Sequence, residues 1–312
     1  MSRTTGITAP ATLLLCALFA ACDENNRVTS PTDATLVPTE APLTATSPAR
    51  ARSNGTVVYG LTADNILITF DVGQPNRVTS EVAITGLQPG ERIVGIDFRP
   101  SDLNGDAISD VGKLYGVSST SRVYPIDPQT GQAGSGVPLV TTTGVAVALS
   151  GASFGVGFNP VPDRLRVHSD ADQNLRINVD NGITAVDTAL SYPADGMDPN
   201  IVATGYTNND NDPATATTLY AIDSNRDALT VFNIPSGPNS GKMSMVGFIG
   251  VHTGDATGLD IAGNANVAYA AFSESPSGKS TLYTLDLSTG AASKLGLIAQ
   301  SNSPLISIAV LP

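Results

Sequence analysis

The chain has 312 residues, of which 41% are hydrophobic, 14% are charged and none is tryptophan. This hydrophobic fraction excludes a wholly disordered chain. The formal net charge of −12 argues against nucleic acid as a partner, because phosphate backbones are bound by clustered Lys and Arg, and the 16 basic residues form no run.

The first residues have the features of an export signal. Arg3 supplies a positive charge, and residues 9–21 form a short apolar stretch. This stretch is too short for a permanent transmembrane helix. It ends in the letters LFAAC, which resemble a bacterial lipobox. We therefore predict a signal peptide at 1–21 and lipidation of Cys22; the alternative is an ordinary signal peptide cleaved just before this cysteine.

A linker follows the lipidated cysteine. Cys16 and Cys22 are the only cysteines, so the mature part has no internal disulfide. Residues 22–53 are dominated by Pro, Thr, Ser and Ala without periodicity, which is typical of a disordered tether or a mucin-like stalk. We expect an exported protein of the cell envelope, anchored through its lipid at the periplasmic face of a bacterial membrane or at the cell surface.

The remaining residues, 54–312, contain an internal repeat. Five segments share one plan, in which an aromatic or apolar strand, a short polar turn and a second strand follow one another. The anchor positions are 56, 50, 55 and 49 residues apart; they are Tyr59, Tyr115, Leu165, Tyr220 and Tyr269. A period of this length is typical of the blades of a β-propeller.

Each repeat carries two further strands. A short strand precedes each of the last four hairpins, at 94–98, 155–158, 202–206 and 257–261, and a turn with a third strand follows each hairpin. The first hairpin lacks a preceding strand, whereas 305–310 follows the last unit. We therefore predict an all-β propeller of five four-stranded blades in which 305–310 closes the first blade. Six blades are the alternative, if the loop at 187–200 hides a strand pair.

These residues resemble the bacterial family DUF4394, a domain of unknown function. The resemblance covers about Tyr59 to Val310, and it implies no established activity. The motifs that carry it are Tyr59-Gly60-Leu61-Thr62, Gly90-Glu91-Arg92-Ile93-Val94-Gly95-Ile96-Asp97-Phe98-Arg99-Pro100, Gly157-Phe158-Asn159-Pro160, Asp163-Arg164-Leu165-Arg166-Val167, Gln173-Asn174-Leu175-Arg176 and Gly205-Tyr206-Thr207-Asn208-Asn209.

One loop, at 102–110, has the pattern of a calcium site. Oxygen-bearing side chains at positions 1, 3, 5 and 9, with a glycine for the turn, suit a hard cation such as Ca²⁺. The alternative is a solvated polar turn. The candidate metal set is Asp102, Asn104, Asp106, Ile108 and Asp110.

A second candidate site joins charged residues around the central channel. Arg164 and Arg166 share one face of a predicted strand, and Arg176 lies on the neighbouring strand. With Asp97 or Asp163 as counter-charge, these arginines could hold a carboxylate or phosphate. The alternative, which we favour, is an ion-pair network that locks adjacent blades.

Evidence for catalysis is thin, and we assign no catalytic residue. His168 and His252 form no metal-binding pair and accompany no nucleophile motif, so each is expected to be an ordinary surface or turn residue. No motif implies an organic cofactor. The predicted function is a binding or interaction module for an envelope protein, glycan or small molecule, stabilised by calcium; the alternative is a hydrolase or lyase acting in the channel.

Overall fold

The computed structural model describes residues 55–107, 109–210, 212, 214–232, 237–263, 265–273, 278–299 and 303–311. The predicted signal peptide, Cys22 and the linker lie outside these residues. The described chain is all-β, with one short 3-10 turn at Pro238–Ser240. No helix among the described residues is long and apolar enough to cross a bilayer.

Twenty strands follow one another along the chain. They are β1 (Val57–Thr62), β2 (Ile66–Asp71), β3 (Val78–Ala83), β4 (Ile93–Phe98), β5 (Leu114–Ser118), β6 (Arg122–Ile126), β7 (Val137–Pro138), β8 (Phe154–Asn159), β9 (Arg164–Ser169), β10 (Asn174–Ile177), β11 (Thr184–Val186), β12 (Ile201–Tyr206), β13 (Leu219–Asp223), β14 (Ala228–Val231), β15 (Ser244–Phe248), β16 (Thr257–Ala262), β17 (Val267–Phe272), β18 (Thr281–Leu285), β19 (Ala292–Leu297) and β20 (Leu305–Val310).

The strands form five antiparallel sheets of four, which confirms the five-bladed propeller. Blade 1 has the strand order β20-β1-β2-β3, and blades 2 to 5 take β4–β7, β8–β11, β12–β15 and β16–β19. The predicted closure is confirmed, because β20 pairs with β1. The described loop at 187–200 contains no strand, so the alternative of six blades is wrong.

The innermost strands form the wall of the channel. They contact one another in the order β20, β4, β8, β12 and β16, and β16 contacts β20 again, so the ring is closed. Inner strands such as β4 are buried on both faces, whereas the outer strand β3 alternates between half-buried and exposed residues. A continuous apolar run therefore marks an inner strand, and alternation marks an outer one.

Aromatic side chains pack neighbouring blades together. Tyr59 of blade 1 meets Phe98 of blade 2 edge to face, with ring centroids 5.0 Å apart. Tyr115 of blade 2 meets Phe158 of blade 3 in the same way at 5.8 Å. Tyr59 and Tyr115 are thus interface residues, since edge-to-face pairs add to the stability that their buried area provides.

Turns between the third and fourth strands contact the preceding blade. A β-carbon on Gly131 of blade 2 would lie 2.3 Å from the carbonyl oxygen of Ala83, and one on Gly182 of blade 3 would lie 2.1 Å from that of Pro138. Both glycines have positive φ, at 74° and 72°. The N–H of Thr85 donates to the carbonyl of Gly131 at 3.0 Å. Glycine is required at these turns because the neighbouring backbone occupies the space of a side chain.

Candidate functional site at the channel mouth

Neighbouring inner strands approach one another closely at glycines. A β-carbon on Gly155 of β8 would lie 2.6 Å from the backbone of Ala203 on β12. One on Gly258 of β16 would lie 2.6 Å from the backbone nitrogen of Ile308 on β20. These contacts place backbone against backbone between neighbouring blades, without a side chain between them.

Two buried carboxylates join the inner strands. Asp97 on β4 accepts the N–H of Phe158 on β8 at 2.6 Å and that of its own neighbour Phe98 at 2.8 Å. Asp260 on β16 accepts the N–H of Val310 on β20 at 2.6 Å. Each carboxylate therefore links two blades and satisfies backbone donors that would otherwise be buried without partners.

The environment of these carboxylates favours their protonated forms. Burial raises the pKa of Asp97 well above its usual value, and the negative charge of Asp260 raises it further. Burial also raises the pKa of Asp260 to about 6, although the hydrogen bonds from Val310 and Ile261 oppose this. The two groups are thus coupled acids inside the propeller.

The residues of the candidate anion site lie at separate places in the structure. Asp97 lies on the inner strand, as described. Asp163 pairs with the guanidinium of Arg99. Arg164 donates to the carbonyls of Pro162 and Asp163. The five residues of the predicted site therefore do not converge on one point of the channel.

Arg166 and Arg176 do come together, as partners of one carboxylate between blades 3 and 4. Arg166 is buried and donates to Asp187 at 2.6 Å, while Arg176 donates to the same carboxylate at 2.7 Å and 3.0 Å. Arg166 also donates to Tyr206 of β12 at 3.2 Å and to Asn239 at 2.8 Å. This arrangement has the geometry of the interblade network that we favoured.

The predicted calcium loop lies beside Arg99. The Arg99 side chain is fully buried, with carboxylate oxygens at 3.2 Å (Asp102), 3.6 Å (Asp110), 2.5 Å (Asp163) and 2.9 Å (Asp180). Burial lowers the pKa of Arg99, but hydrogen bonds and charge from Asp163 and Asp180 raise it by more. One permanent cation thus already faces four carboxylates.

The rest of this loop is held by internal hydrogen bonds. The N–H of Asp110 donates to Asp102 at 2.7 Å, and the amide of Asn104 donates to Asp106 at 3.0 Å. Ile108 lies outside the described residues. Within the described residues, no group of three or more His, Cys, Asp or Glu side chains is spaced to hold a metal ion.

The two histidines differ in their surroundings. His252 is exposed, as expected, with Nδ1 3.2 Å from Asp227. The expectation of a surface residue is wrong for His168, which is fully buried on β9 and stacks on Phe232 at 4.9 Å. Burial and the nearby charge of Arg166 lower its pKa well below the usual value, so it is neutral.

A pocket of about 260 Å³ lies at the mouth of the channel, where the inner strands begin. Its apolar lining comes from Val94 of β4, Phe154 of β8 and Ile306 of β20, and its charged lining from Arg92 and Asp255. Three blades supply the inner-strand residues, so only the closed ring creates this pocket. We name it the mouth pocket.

The loop that carries Arg92 is held in place by hydrogen bonds to the adjacent residue, Glu91. The buried carboxylate of Glu91 accepts hydrogen bonds from Ser118, from Thr120 and, at 2.6 Å, from Tyr124. Burial raises the pKa of Glu91, but these hydrogen bonds lower it by more, so the group stays ionised. Arg92 is therefore presented by a rigid backbone although its own side chain is exposed.

A second cavity, of about 450 Å³, lies between blades 5 and 1. Its lining, which includes Val57, Tyr269 and Val310, has no charged side chain. Ligand sites combine an apolar wall with a few placed polar groups. The mouth pocket combines its apolar wall with two charged side chains, whereas the polar side chains of the larger cavity are Thr56 and Tyr269, which makes the mouth pocket the candidate site.

Comparison with known families identifies one match. A family model described as domain of unknown function DUF4394 matches residues 66–309. The chain belongs to this family. The match runs from β2 to β20, so both Arg92 and Asp255 fall inside the DUF4394 domain. No curated protein matches the chain.

Several solved structures match the chain at low identity and with TM-scores of 0.43 or less. A Bacteroides thetaiotaomicron VPI-5482 protein of unknown function is 14% identical, with a TM-score of 0.43 over 76% of this chain and 56% of that one. Hydrazine synthase of Kuenenia stuttgartiensis is 13% identical, with 0.39 over 69% and 51%. The WD40 domain of Toxoplasma gondii coronin is 10% identical, with 0.37 over 74% and 54%. The DUF4394 chain thus spans about half the length of these proteins.

Sequence reasoning missed the charged residues of the mouth pocket and Arg99. Arg92 and Arg99 both stand in the motif at 90–100, which we used only as a mark of the family. Asp255 ends a short polar run after His252. Their positions directly before or after inner strands are the signal that could have identified them, because strand ends of a propeller surround the channel openings.

Proposed function

We propose that this DUF4394 protein is a ligand-binding module of the cell envelope and that the mouth pocket is its binding site. One observation carries the proposal. Arg92 and Asp255 line the same pocket, yet no carboxylate lies within ion-pair distance of Arg92 in the described part of the chain.

This contrasts with the arginines that support the fold. Arg99, Arg166 and Arg176 are each paired with at least one carboxylate. A guanidinium without such a partner, beside an apolar wall, is a typical element of recognition. The predicted lipidation at Cys22 and the predicted linker at 22–53 fit this proposal, because they would hold the binding propeller near the membrane.

Binding has more support than turnover. The channel carboxylates Asp97 and Asp260 are buried and are engaged by backbone N–H groups on adjacent blades. A general acid or base must reach the proton that it transfers. Asp97 and Asp260 are therefore not accessible as an acid–base pair, and we do not propose the alternative of a hydrolase or lyase in the channel.

Calcium at 102–110 stays a prediction. Four carboxylates around Arg99 leave an excess of negative charge, which favours a divalent cation. However, Asp102 already contacts Arg99, at 3.2 Å. A bound Ca²⁺ that used this carboxylate would compete with the guanidinium.

The binding proposal is tested with the full chain in detergent and a panel of small envelope metabolites. Saturation-transfer NMR reports which compounds bind. Ala152→Trp places a large ring at the rim of the pocket, and Ala185→Trp, on the exposed face of β11, is the control. We expect the first variant to abolish binding and the control to retain it. Equal binding by both variants would place the ligand elsewhere.

A further inference from the structure

We propose that the ligand of the mouth pocket is a small zwitterion, a free α-amino acid with an apolar side chain. This inference rests on the proposed function, since it names the chemistry of the same site. It starts from two opposite charges, Arg92 and Asp255, that line one pocket and form no ion pair with each other. A ligand that carries one negative and one positive group can pair with both Arg92 and Asp255.

Asp255 is oriented to accept a cation. Its Oδ1 accepts the hydroxyl of Ser224 at 2.6 Å and the amide of Asn200 at 2.9 Å. Its Oδ2 accepts no hydrogen bond from the described residues. The carboxylate is thus held in place by one oxygen while the other remains for a donor such as an ammonium group. Charge-assisted hydrogen bonds of this kind are among the strongest in proteins.

Arg92 is placed to bind the opposite end of the ligand. Its backbone N–H donates to the hydroxyl of Ser119 at 3.2 Å, and its carbonyl accepts the N–H of Ser119 at 2.8 Å. The backbone is therefore anchored on both sides while the guanidinium is exposed. A guanidinium presents paired donors that match the two oxygens of a carboxylate.

The apolar part of the pocket selects the side chain of the ligand. Val94 and Phe154 are buried and Ile306 is half-buried. These side chains offer no partner to the hydroxyl groups of a sugar, and a polar group that loses water without gaining a partner weakens binding. An aliphatic side chain meets this surface without such a cost.

The size of the pocket favours a small ligand. Sites for drug-sized ligands measure about 300–1,000 Å³. At about 260 Å³, the mouth pocket is smaller than this range. A longer peptide would extend beyond this volume, whereas an amino acid of the size of leucine lies within it.

The test uses three probes that differ by one charge each: L-leucine, L-leucinamide, which lacks the carboxylate, and N-acetyl-L-leucine, which lacks the ammonium. Isothermal titration of the full chain in detergent measures their dissociation constants. We expect L-leucine to bind at least tenfold more tightly than either derivative. Equal affinity for the three probes would overturn the inference.

Two variants assign each charge to its residue. Arg92→Gln should weaken L-leucine at least tenfold and remove the preference over L-leucinamide. Asp255→Asn should likewise remove the preference over N-acetyl-L-leucine. Arg77→Gln and Glu81→Gln, at exposed positions of blade 1, are the matched controls and should bind as the unaltered chain does.

Failure of the inference can be distinguished from failure of the proposed function. If none of the three probes binds but other compounds bind and Ala152→Trp abolishes their binding, the pocket is a site for another class of ligand and the zwitterion is wrong. If Ala152→Trp leaves all binding unchanged, the proposed function is wrong as well.

Discussion

Asp97 of blade 2 accepts the backbone N–H of Phe158 of blade 3 at 2.6 Å, so a buried carboxylate joins two blades inside the propeller. Asp260 makes the equivalent bond from blade 5 to Val310 of the closing strand. In each case a carboxylate of one blade accepts a hydrogen bond from a backbone N–H of the next blade. Closure of the ring and the protonation of these acids are therefore coupled.

The first prediction concerns pH. The folded-state pKa of Asp260, about 6, lies above its usual 3.8, and that of Asp97 is raised too. The folded protein therefore binds more protons than the unfolded chain between these values, and stability falls as pH rises from about 4 through about 6. Over that window we expect the two acids to lower the free energy of unfolding, Asp260 alone by up to about 3 kcal/mol.

Urea unfolding at pH 4.5 and pH 7.5 measures this effect, and Asp260→Asn is the comparison. Other carboxylates titrate in both proteins, so the difference between them isolates the channel acids. The stability of the unaltered chain relative to the variant should be greater at pH 4.5. A difference that does not change with pH would show that Asp260 titrates normally.

A second prediction concerns Arg99. Arg99→Met removes the only cation that faces Asp163 inside the described cluster and leaves buried carboxylates to repel one another. Removal of one partner of a buried ion pair typically costs about 3–5 kcal/mol. We expect a loss of this size in urea unfolding at pH 7. Arg77→Met, at an exposed position, should change stability by no more than about 0.5 kcal/mol; similar losses in both variants would contradict a structural role for Arg99.

The third prediction concerns calcium. If 102–110 binds Ca²⁺ near 10 µM, a hundredfold excess should raise the stability of the metal-stripped chain by about 2.7 kcal/mol. Asp106→Ala should remove this gain, because Asp106 is a predicted ligand and is not among the carboxylates that pair with Arg99. A melting temperature that does not respond to calcium would identify the loop as a polar turn organised by Arg99.

The fourth prediction concerns His168. Neither ring nitrogen has a hydrogen-bond partner in the described structure, and the ring is fully buried against Phe232. Replacing a buried polar group without partners by an apolar one of similar shape is neutral or stabilising. We expect His168→Phe to raise the free energy of unfolding by 0 to about 2 kcal/mol. A loss of more than about 1 kcal/mol would indicate a partner that the imidazole requires.

The sequence by itself predicted the architecture, although the alternative of six blades was excluded only by the structure. The spacing of the repeated anchors such as Tyr59, Tyr115 and Tyr269, the shared plan of the hairpins and the unpaired strand at 305–310 predicted five closed blades. These features are local or repeat along the chain, because each strand takes its pattern from the two faces that it buries. The missing first strand and the extra last one identify the closure without any knowledge of side-chain contacts.

Only the tertiary structure decided which charged residues meet. Arg99 and Asp180 are 81 residues apart, and Arg92 and Asp255 lie on different blades. Four of the residues predicted as one anion site lie between positions 163 and 176, yet among them only Arg166 and Arg176 share a partner, Asp187. The physical reason is that ring closure brings together the ends of strands from separate repeats. No sequence interval marks the residue of another blade that a charged side chain will meet. The position of that residue depends on the twist and packing of every blade between.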